Sequence, residues 1–270
     1  DVENFDLREV QQALITENEK KEIIADIIPF WEGKTAEDRF EALMPEDVFG
    51  DIDKYIFTIM LEITYGIGHF TMNHPKLLSL GLSGMIDEAA EKLDALSEKD
   101  RSGEKGLFYQ AVIRSLKSAV LFANRYADMA DQMAEQTKDP ASKLELKTIA
   151  EICRRVPAHP ARTFHEAIQS FYFIHLIAQI ESGGNSVSLG RLDRILEPYY
   201  KRDIENDTIT PQQARELVSL LFIKTNEIWN VLEEAYIPGG EGTEGKTTQN
   251  VVVGGLDENG DDATSELSYI

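Results

Sequence analysis

The chain has 270 residues, a net charge of -21 and a pI near 4.6, with 42% hydrophobic and 28% charged residues. These values describe a globular chain of one large domain or two smaller ones. The acidic balance argues against nucleic acid, whose phosphates need a basic surface, and against anionic membrane surfaces. Cys153 is the single cysteine, which excludes an intramolecular disulfide and a Cys-rich zinc site and fits a reducing cytoplasm. No apolar run reaches the roughly 18 residues of a membrane span. The nearest, Phe164 to Ile180, is interrupted by His165, Glu166, Gln169, His175 and Gln179. No signal peptide pattern stands at the start. The first residue is Asp1 and the last, Ile270, falls inside a helical pattern, so a piece of a longer protein is expected.

Taken in order, Leu7 to Trp31 has apolar residues near a 3.6 period and predicts a helix ending near Pro29. Thr35 is an N-cap for a short helix to Leu43, which Pro45 breaks. In Ile52 to Tyr65 helix and strand compete, because the segment is both apolar and β-branched. Gly66 to Pro75 is a loop punctuated by two glycines and a proline. Pro75 to Gly81 and Ser83 to Leu96 read as helices, and Ser102 to Lys105 as a polar break. From Leu107 to Gln136 an apolar stripe including Leu107, Ala119, Ala123, Tyr126, Ala127, Ala130 and Met133 predicts a long helix. Asp139-Pro140 opens another, to about Arg155, by an N-cap followed by Pro at the first helical position. Thr163 and Glu166 form a capping box for the apolar helix to Ile180, and Leu192 to Tyr200 is amphipathic. Thr210-Pro211-Gln212-Gln213 opens a helix to about Leu232. Ile237 to Lys246 is a glycine-rich loop. Thr248 to Leu256, with three consecutive valines, predicts a strand buried on both faces. Asp257 to Asp262 is a turn, and Ala263 starts a helix. The pattern is mainly α, with one late strand and no βαβ alternation.

Several motifs fail on their own chemistry. Gly66-Ile67-Gly68 lacks the third glycine of a dinucleotide loop, and no phosphate-binding Gly-x-x-x-x-Gly-Lys-Ser/Thr occurs. Asp257-x-Asn259-x-Asp261 lacks the glycine and the final glutamate of a calcium loop. None of the five histidines (His69, His74, His159, His165, His175) follows a glutamate by three residues, so a di-iron bundle has no ligand pair. There is no Gly-x-Ser-x-Gly elbow. Cys153 has Arg154 and Arg155 beside it but apolar neighbours on its helix, and a structural role is expected. What remains is a polar pocket: His69 and Asn185-Ser186 each sit in a Gly-flanked loop beside apolar segments and can donate and accept hydrogen bonds.

Four segments resemble glycyl radical enzymes. Val156-Pro157-Ala158-His159-Pro160-Ala161-Arg162-Thr163-Phe164-His165-Glu166-Ala167-Ile168-Gln169 is similar to their V-P-A-x-P-A-x-T-F-x-E-A-x-Q segment. Glu181 to Asp193 resembles E-S-N-G-H-S-x-S-x-G-R-x-D. Gln249 to Gly255, followed by Asp262 to Tyr269, resembles Q-N-x-x-x-G-G and D-A-T-N-E-L-S-Y. Gly66 to Thr71 resembles the G-H-T loop. The segments occur in the family's order, and the pyruvate formate-lyase-like dehydratases, lyases and decarboxylases are the branch resembled.

The resemblance implies a ten-stranded α/β barrel. Residues 1–270 would be one partial domain: the helical wrapping plus the first barrel strand near Thr248 to Gly255. It implies cleavage of a C–O, C–N, C–C or C–S bond of a small polar substrate after hydrogen-atom abstraction by a cysteine thiyl. That thiyl draws on a glycyl radical installed by an activating enzyme with S-adenosylmethionine and an iron–sulfur cluster. Both radical residues would lie beyond Ile270, so no catalytic residue, bound cofactor or metal is expected in this chain. A cytoplasmic location, a homodimer for the intact protein, and an activating enzyme and a small molecule as partners follow from the same resemblance. His69 matches a histidine that contacts substrate, Asn185 falls where dehydratases carry His or Asp, and Ser186 matches the serine beside it. Thr248 falls at an aromatic lid position, and Leu61 is a further wall position. Asn185 is neutral and offers no general base, and Thr248 opens the pocket. Two other readings stay open: a non-catalytic truncated relative acting as a subunit or scaffold, and a metal-dependent helical enzyme.

Overall fold

The structure, a computed structural model, describes residues 2–8, 14–45, 48, 54, 68–183, 186–228 and 249–270. Two units divide it. The first comprises Asp1–Phe70, Ala178–Ser188 and Asn226–Asn250; the second comprises Thr71–Ile177, Leu189–Thr225 and Val251–Ile270.

In the first unit a 3-10 turn, Val2–Asn4, precedes α1 (Glu17–Glu22). Thr16 starts α1 through a capping box: its hydroxyl accepts the Glu19 N–H at 3.3 Å, and the Glu19 carboxylate accepts the Thr16 N–H at 2.7 Å. Of the helix expected from Leu7 onward, Leu7, Arg8 and Leu14 to Thr16 are not helical, residues 9–13 lie outside the described residues, and the described helix begins at this cap. The turn is tied back by buried Lys20, whose Nζ donates to Glu3 O at 3.0 Å and pairs with Asp6 at 2.6 Å. A π-helical stretch, Ile23–Ile27, follows, and then α2 (Ile28–Trp31). As expected, the helical run ends at Trp31, and Pro29 is accommodated within it. It lies in the first turn of α2, where a missing N–H is tolerated, and the Ile28 N–H bonds Ile23 O in the wider register just before it. Thr35 caps α3 (Ala36–Glu41) with Asp38 as its reciprocal partner. Most of Ile52 to Tyr65, and all of Ile237 to Lys246, lie outside the described residues.

The second unit is a helical stack with a small sheet. Its helices are α4 (His74–Asp94), α5 (Glu98–Arg101), α6 (Glu104–Gln136), α7 (Pro140–Arg155), α8 (Phe164–Ser182), α9 (Leu192–Glu205) and α10 (Pro211–Asn226). From Ala178 onward α8 belongs to the first unit. Each start has a sequence cause. Asn73, Ser97 and Asp139 accept N–H groups of the first turns of α4, α5 and α7. Thr210 and Gln213 form the reciprocal box expected before α10. At α8 the box is rearranged. Thr163 accepts the Glu166 N–H at 3.1 Å, but the Glu166 carboxylate turns to the Arg162 N–H and guanidinium. The Phe164 N–H is taken by buried Asp203 of α9 at 2.6 Å.

Packing explains where the helices lie. Ala119, Ala123, Ala127, Ala130 and Ala134 form the buried face of α6, small residues at 3–4 spacing that admit a close neighbour. Leu107, Tyr126 and Met133, expected in that stripe, stand on the adjacent face and are exposed. Across the α6–α7 contact, Lys147 bridges Asp131 and Glu135, and Arg154 bridges Asp128 and Asp131. The largest core cluster joins Leu78, Ile152, Val156, Phe164, Ala167, Ile168, Phe171, Leu189, Leu192, Leu196, Tyr200, Ala214, Val218, Leu221 and Leu267.

Helix α4 is broken at Gly81 (φ 66, ψ 169), which matches the two helices expected there. The turn after α7, with a cis Val156-Pro157 bond, fits against the break. Pro157 O and Ala158 O accept the N–H groups of Leu82 and Ser83 at 2.8 and 2.9 Å, and the Ala161 N–H returns to Leu78 O at 3.0 Å. The Val-Pro-Ala run is thus the plug of a kinked helix.

Strands β1 (Gly190–Arg191) and β2 (Val251–Val252) are paired in parallel, Gly190 opposite Val251 and Arg191 opposite Val252. Parallel strands need a crossover, and α9 and α10 stand in the chain between them. The sequence pattern shows no such β–helix–β unit, because two residues are too few to display alternation. The late strand is present but shorter than expected and not buried: Val251, Val252 and Val253 are 41%, 52% and 54% exposed. The chain past Ala263 turns into a 3-10 helix, Glu266–Tyr269.

Two outcomes follow from this packing. A Cβ at Gly81 would lie 2.5 Å from Ala158 O and from the His159 carbonyl carbon, in a left-handed conformation. Gly81→Ala should therefore cost about 3 kcal/mol or more, read from urea unfolding. His74 is fully buried and stacked on Phe171 with centroids 3.7 Å apart, and among the described residues neither ring nitrogen meets a hydrogen-bond partner. Burial first, and His175 second, lower its pKa from 6.5 to about 3. The folded chain holds this imidazole neutral while the unfolded chain protonates it below 6.5. The contribution is complete above pH 6.5 and is lost as pH falls toward 3, at up to about 1.4 kcal/mol per pH unit. His74→Phe should flatten that part of the stability–pH curve.

Candidate functional site

Two loops meet by their backbones. The first, residues 68–73, leads into α4. The second follows α8, where the Ser182 hydroxyl donates to Ala178 O at 2.8 Å and Gly183 (φ 66) turns the chain out of the helix. Within the first unit, the Ser188 N–H donates to Phe70 O at 2.8 Å. Within the second, Thr71 Cγ2 lies 2.8 Å from where a Cβ at Gly190 would sit, and Gly190 has φ +69. Only glycine fits there: it supplies both the left-handed turn and the room for Thr71.

His69 (φ 56) and Ser186 (φ 55) are both left-handed without being glycine. Such a conformation costs on the order of 1–3 kcal/mol and tends to cluster at ligand sites. His69 is exposed in this chain and Ser186 is 8% exposed. The described residues thus bring the His69 and Ser186 loops side by side. Asn185, Thr248 and Leu61 lie outside the described residues.

Just past the second loop in sequence, within the second unit, come two residues to which no role was assigned above. Arg191 Nη1 donates to Leu256 O at 2.8 Å, and Nη2 donates to Gly254 O. Asp193, 2% exposed, accepts the Gly254 N–H at 2.7 Å and the Ser268 hydroxyl on one oxygen, and the Arg194 N–H at 2.8 Å on the other. Both backbone polar groups of Gly254 are therefore held by one Arg-x-Asp tripeptide. The signal was present in the Gly-Arg-x-Asp run, but sequence spacing does not show that its partners lie some sixty residues ahead.

The other candidates are structural. Cys153 packs with Ala123, Ala127 and Phe173, and burial pushes its thiol up to about 11, so it is a poor thiolate. The Asp257 carboxylate accepts the N–H groups of Asn259 and Asp261, a solvated turn in which these hydrogen bonds lower its pKa. His165 is half-buried, and burial lowers its pKa. Among the described residues no group of three or more His, Cys, Asp or Glu is placed to hold a metal, and no helix is long and apolar enough to cross a membrane.

The chain is 33% identical over 269 residues to a (2S)-3-sulfopropanediol dehydratase of Klebsiella oxytoca, covering 98% of this chain and 32% of the relative. It is 34% identical over 284 residues to an isethionate sulfite-lyase of Desulfovibrio desulfuricans, covering 100% of this chain and 34% of that protein. The glycerol-bound B12-independent glycerol dehydratase of Clostridium butyricum superposes with a TM-score of 0.86 at 34% identity, over 99% of this chain and 34% of its own. A Roseburia inulinivorans structure described for 1,2-propanediol dehydration gives 0.89 at 33%, over 99% and 32%. The chain spans about a third of the length of these relatives. The family model described as "Pyruvate formate lyase-like" matches residues 1–270. By that match and by its four motifs, the chain belongs to the pyruvate formate lyase-like family of glycyl radical enzymes.

Proposed function

We propose that this chain is the N-terminal and central portion of a glycyl radical dehydratase or lyase, and that the loops bearing His69 and Asn185-Ser186 form part of its substrate wall. Thr248 and Leu61 are further wall positions. The observation that carries the reading is the Ser188–Phe70 backbone bond, which joins two loops that each hold a strained, polar, non-glycine residue. The radical cysteine and glycine belong to the remainder of the protein, and an activating enzyme is the partner that installs the radical. When present, that radical supplies hydrogen-atom abstraction from a substrate carbon.

The residues of this chain bind and orient. A Ser186 hydroxyl both donates and accepts, and a His69 imidazole offers one donor and one acceptor when neutral. Together they suit a substrate hydroxyl or a similar small polar group. The Asn185 amide donates and accepts but holds no titrating proton, so it can fix a substrate oxygen without serving as a base. The left-handed conformations at His69 and Ser186 are strain that the bonded loops hold in place before substrate arrives. Relatives include a sulfopropanediol dehydratase, an isethionate lyase and a hydroxyproline dehydratase, and glycerol is bound in one related structure. They share a small, hydroxyl-bearing substrate, which is the class proposed here.

The test uses the full-length protein, activated anaerobically and assayed with (2S)-3-sulfopropanediol, isethionate, glycerol and trans-4-hydroxy-L-proline. His69→Ala and Ser186→Ala should each lower kcat/KM roughly 10- to 100-fold, the worth of a lost hydrogen bond to substrate. Ser186→Gly should lose activity equally while keeping or raising stability by up to about 1 kcal/mol, because glycine relieves the left-handed strain. Unchanged activity in both alanine variants would remove these loops from the substrate wall.

A further inference from the structure

The ladder between β1 and β2 has two residue pairs, too few to fix a register alone. What fixes it lies beside the ladder. Asp193 is in the first turn of α9, where a carboxylate is favoured by the helix dipole, and its buried charge is met by neutral donors from three places: Gly254, Ser268 and its own helix start. Arg191, the last residue of β1, takes the carbonyls of Gly254 and Leu256 just past β2. Gly254 (φ +65) and Gly255 (φ +85) are both left-handed, and a Cβ on Gly255 would lie 3.3 Å from Arg191 Nη2. The Gly255 carbonyl in turn accepts the Ala263 N–H at 2.8 Å. A slip of one residue along β2 would pull Gly254 and Leu256 away from Asp193 and Arg191 together.

We infer that Arg191 and Asp193 are positioning residues for the substrate wall, acting by locking β2 in register against β1. The inference rests on the function proposed above. β1 follows the Ser186–Ser188 loop by way of Leu189 alone, and β2 follows Thr248-Gln249-Asn250 directly. Two proposed wall segments therefore enter the two clamped strands. Any slip of one strand on the other passes along the chain to both segments and turns alternate side chains to the opposite face. The bland alternative is a tie that only adds stability. It predicts that loosening the clamp lowers the unfolding midpoint and leaves substrate affinity alone.

Asp193→Asn keeps the shape but places an amide that cannot accept from Gly254, Ser268 and Arg194 together. Ser268→Ala removes one arm and serves if Asp193→Asn does not fold. In the full-length protein, amide hydrogen exchange of the peptide covering residues 249–258 should quicken about tenfold or more in either variant. Exchange across α6 and α7 should stay as it was. For whichever of the four substrates above the unmodified enzyme turns over best, KM should rise about tenfold with a smaller change in kcat. Asp131→Asn, which loosens the α6–α7 ion pairs, is the control and should leave KM unchanged. Unchanged exchange at 249–258, or faster exchange with an unchanged KM while Ser186→Ala remains impaired, overturns the positioning role and spares the proposed function. No turnover of any of the four substrates, or unimpaired turnover by both Ser186→Ala and His69→Ala, overturns the proposed function and this inference with it.

Discussion

The burial of α8 is the constraint on which the rest of the second unit depends. Phe164, Ala167, Ile168 and Phe171 enter the largest core cluster, Ile174 enters a second with Leu77, Leu82 and Ala119, and Phe173 enters a third with Ala123, Ala127 and Cys153. A helix that is apolar nearly all round has no face to give to water, so other elements must cover it on several sides. α4, α6, α7, α9 and α10 do so, and each coverage has its own device. α4 is kinked at Gly81, α6 presents alanines, and Asp203 of α9 takes the first free N–H of α8 itself. The same helix delivers the chain to the loop carrying Ser186, so the core helix and the proposed wall are one continuous segment.

Much of this was legible because local chemistry marked it. Thr35, Asp139 and Thr210 cap helices where their residue types and spacing say they should. The run Glu104–Gln136 was visible as a period, and four alanines of its expected stripe, Ala119, Ala123, Ala127 and Ala130, are buried. Leu107, Tyr126 and Met133 are more hydrophobic than alanine and drew the stripe toward themselves, while the neighbour selected the alanine ridge for its size. Pro29 marked the end of the helical run to within two residues, and the wider register just before it removes the need for the i→i−4 bond it cannot make. The three valines of 251–253 suggested burial on both faces; in this chain, which spans about a third of the length of its relatives, they are exposed.

The candidate site divides along the same line. His69 and Ser186 could be named from sequence because each is a polar residue in a glycine-flanked loop beside an apolar segment. That both residues hold positive φ, and that Phe70 and Ser188 share a backbone bond, required coordinates. Arg191 and Asp193 were the least legible. Their motif was in plain view, but the groups they hold are main-chain atoms of glycine and leucine, which carry no chemical signature in a sequence.

The exposed valines of β2 bear on how the chain behaves in solution. In this chain, which spans about a third of the length of its relatives, they form an apolar patch turned to water. Against that stands a net charge of -21, which makes copies repel one another. The repulsion reaches only as far as the Debye length, about 8 Å at physiological salt and about 30 Å at 0.01 M. Colloidal stability of the chain is therefore set by ionic strength: dilute buffer keeps copies apart, and added salt brings the valine surfaces within reach of each other.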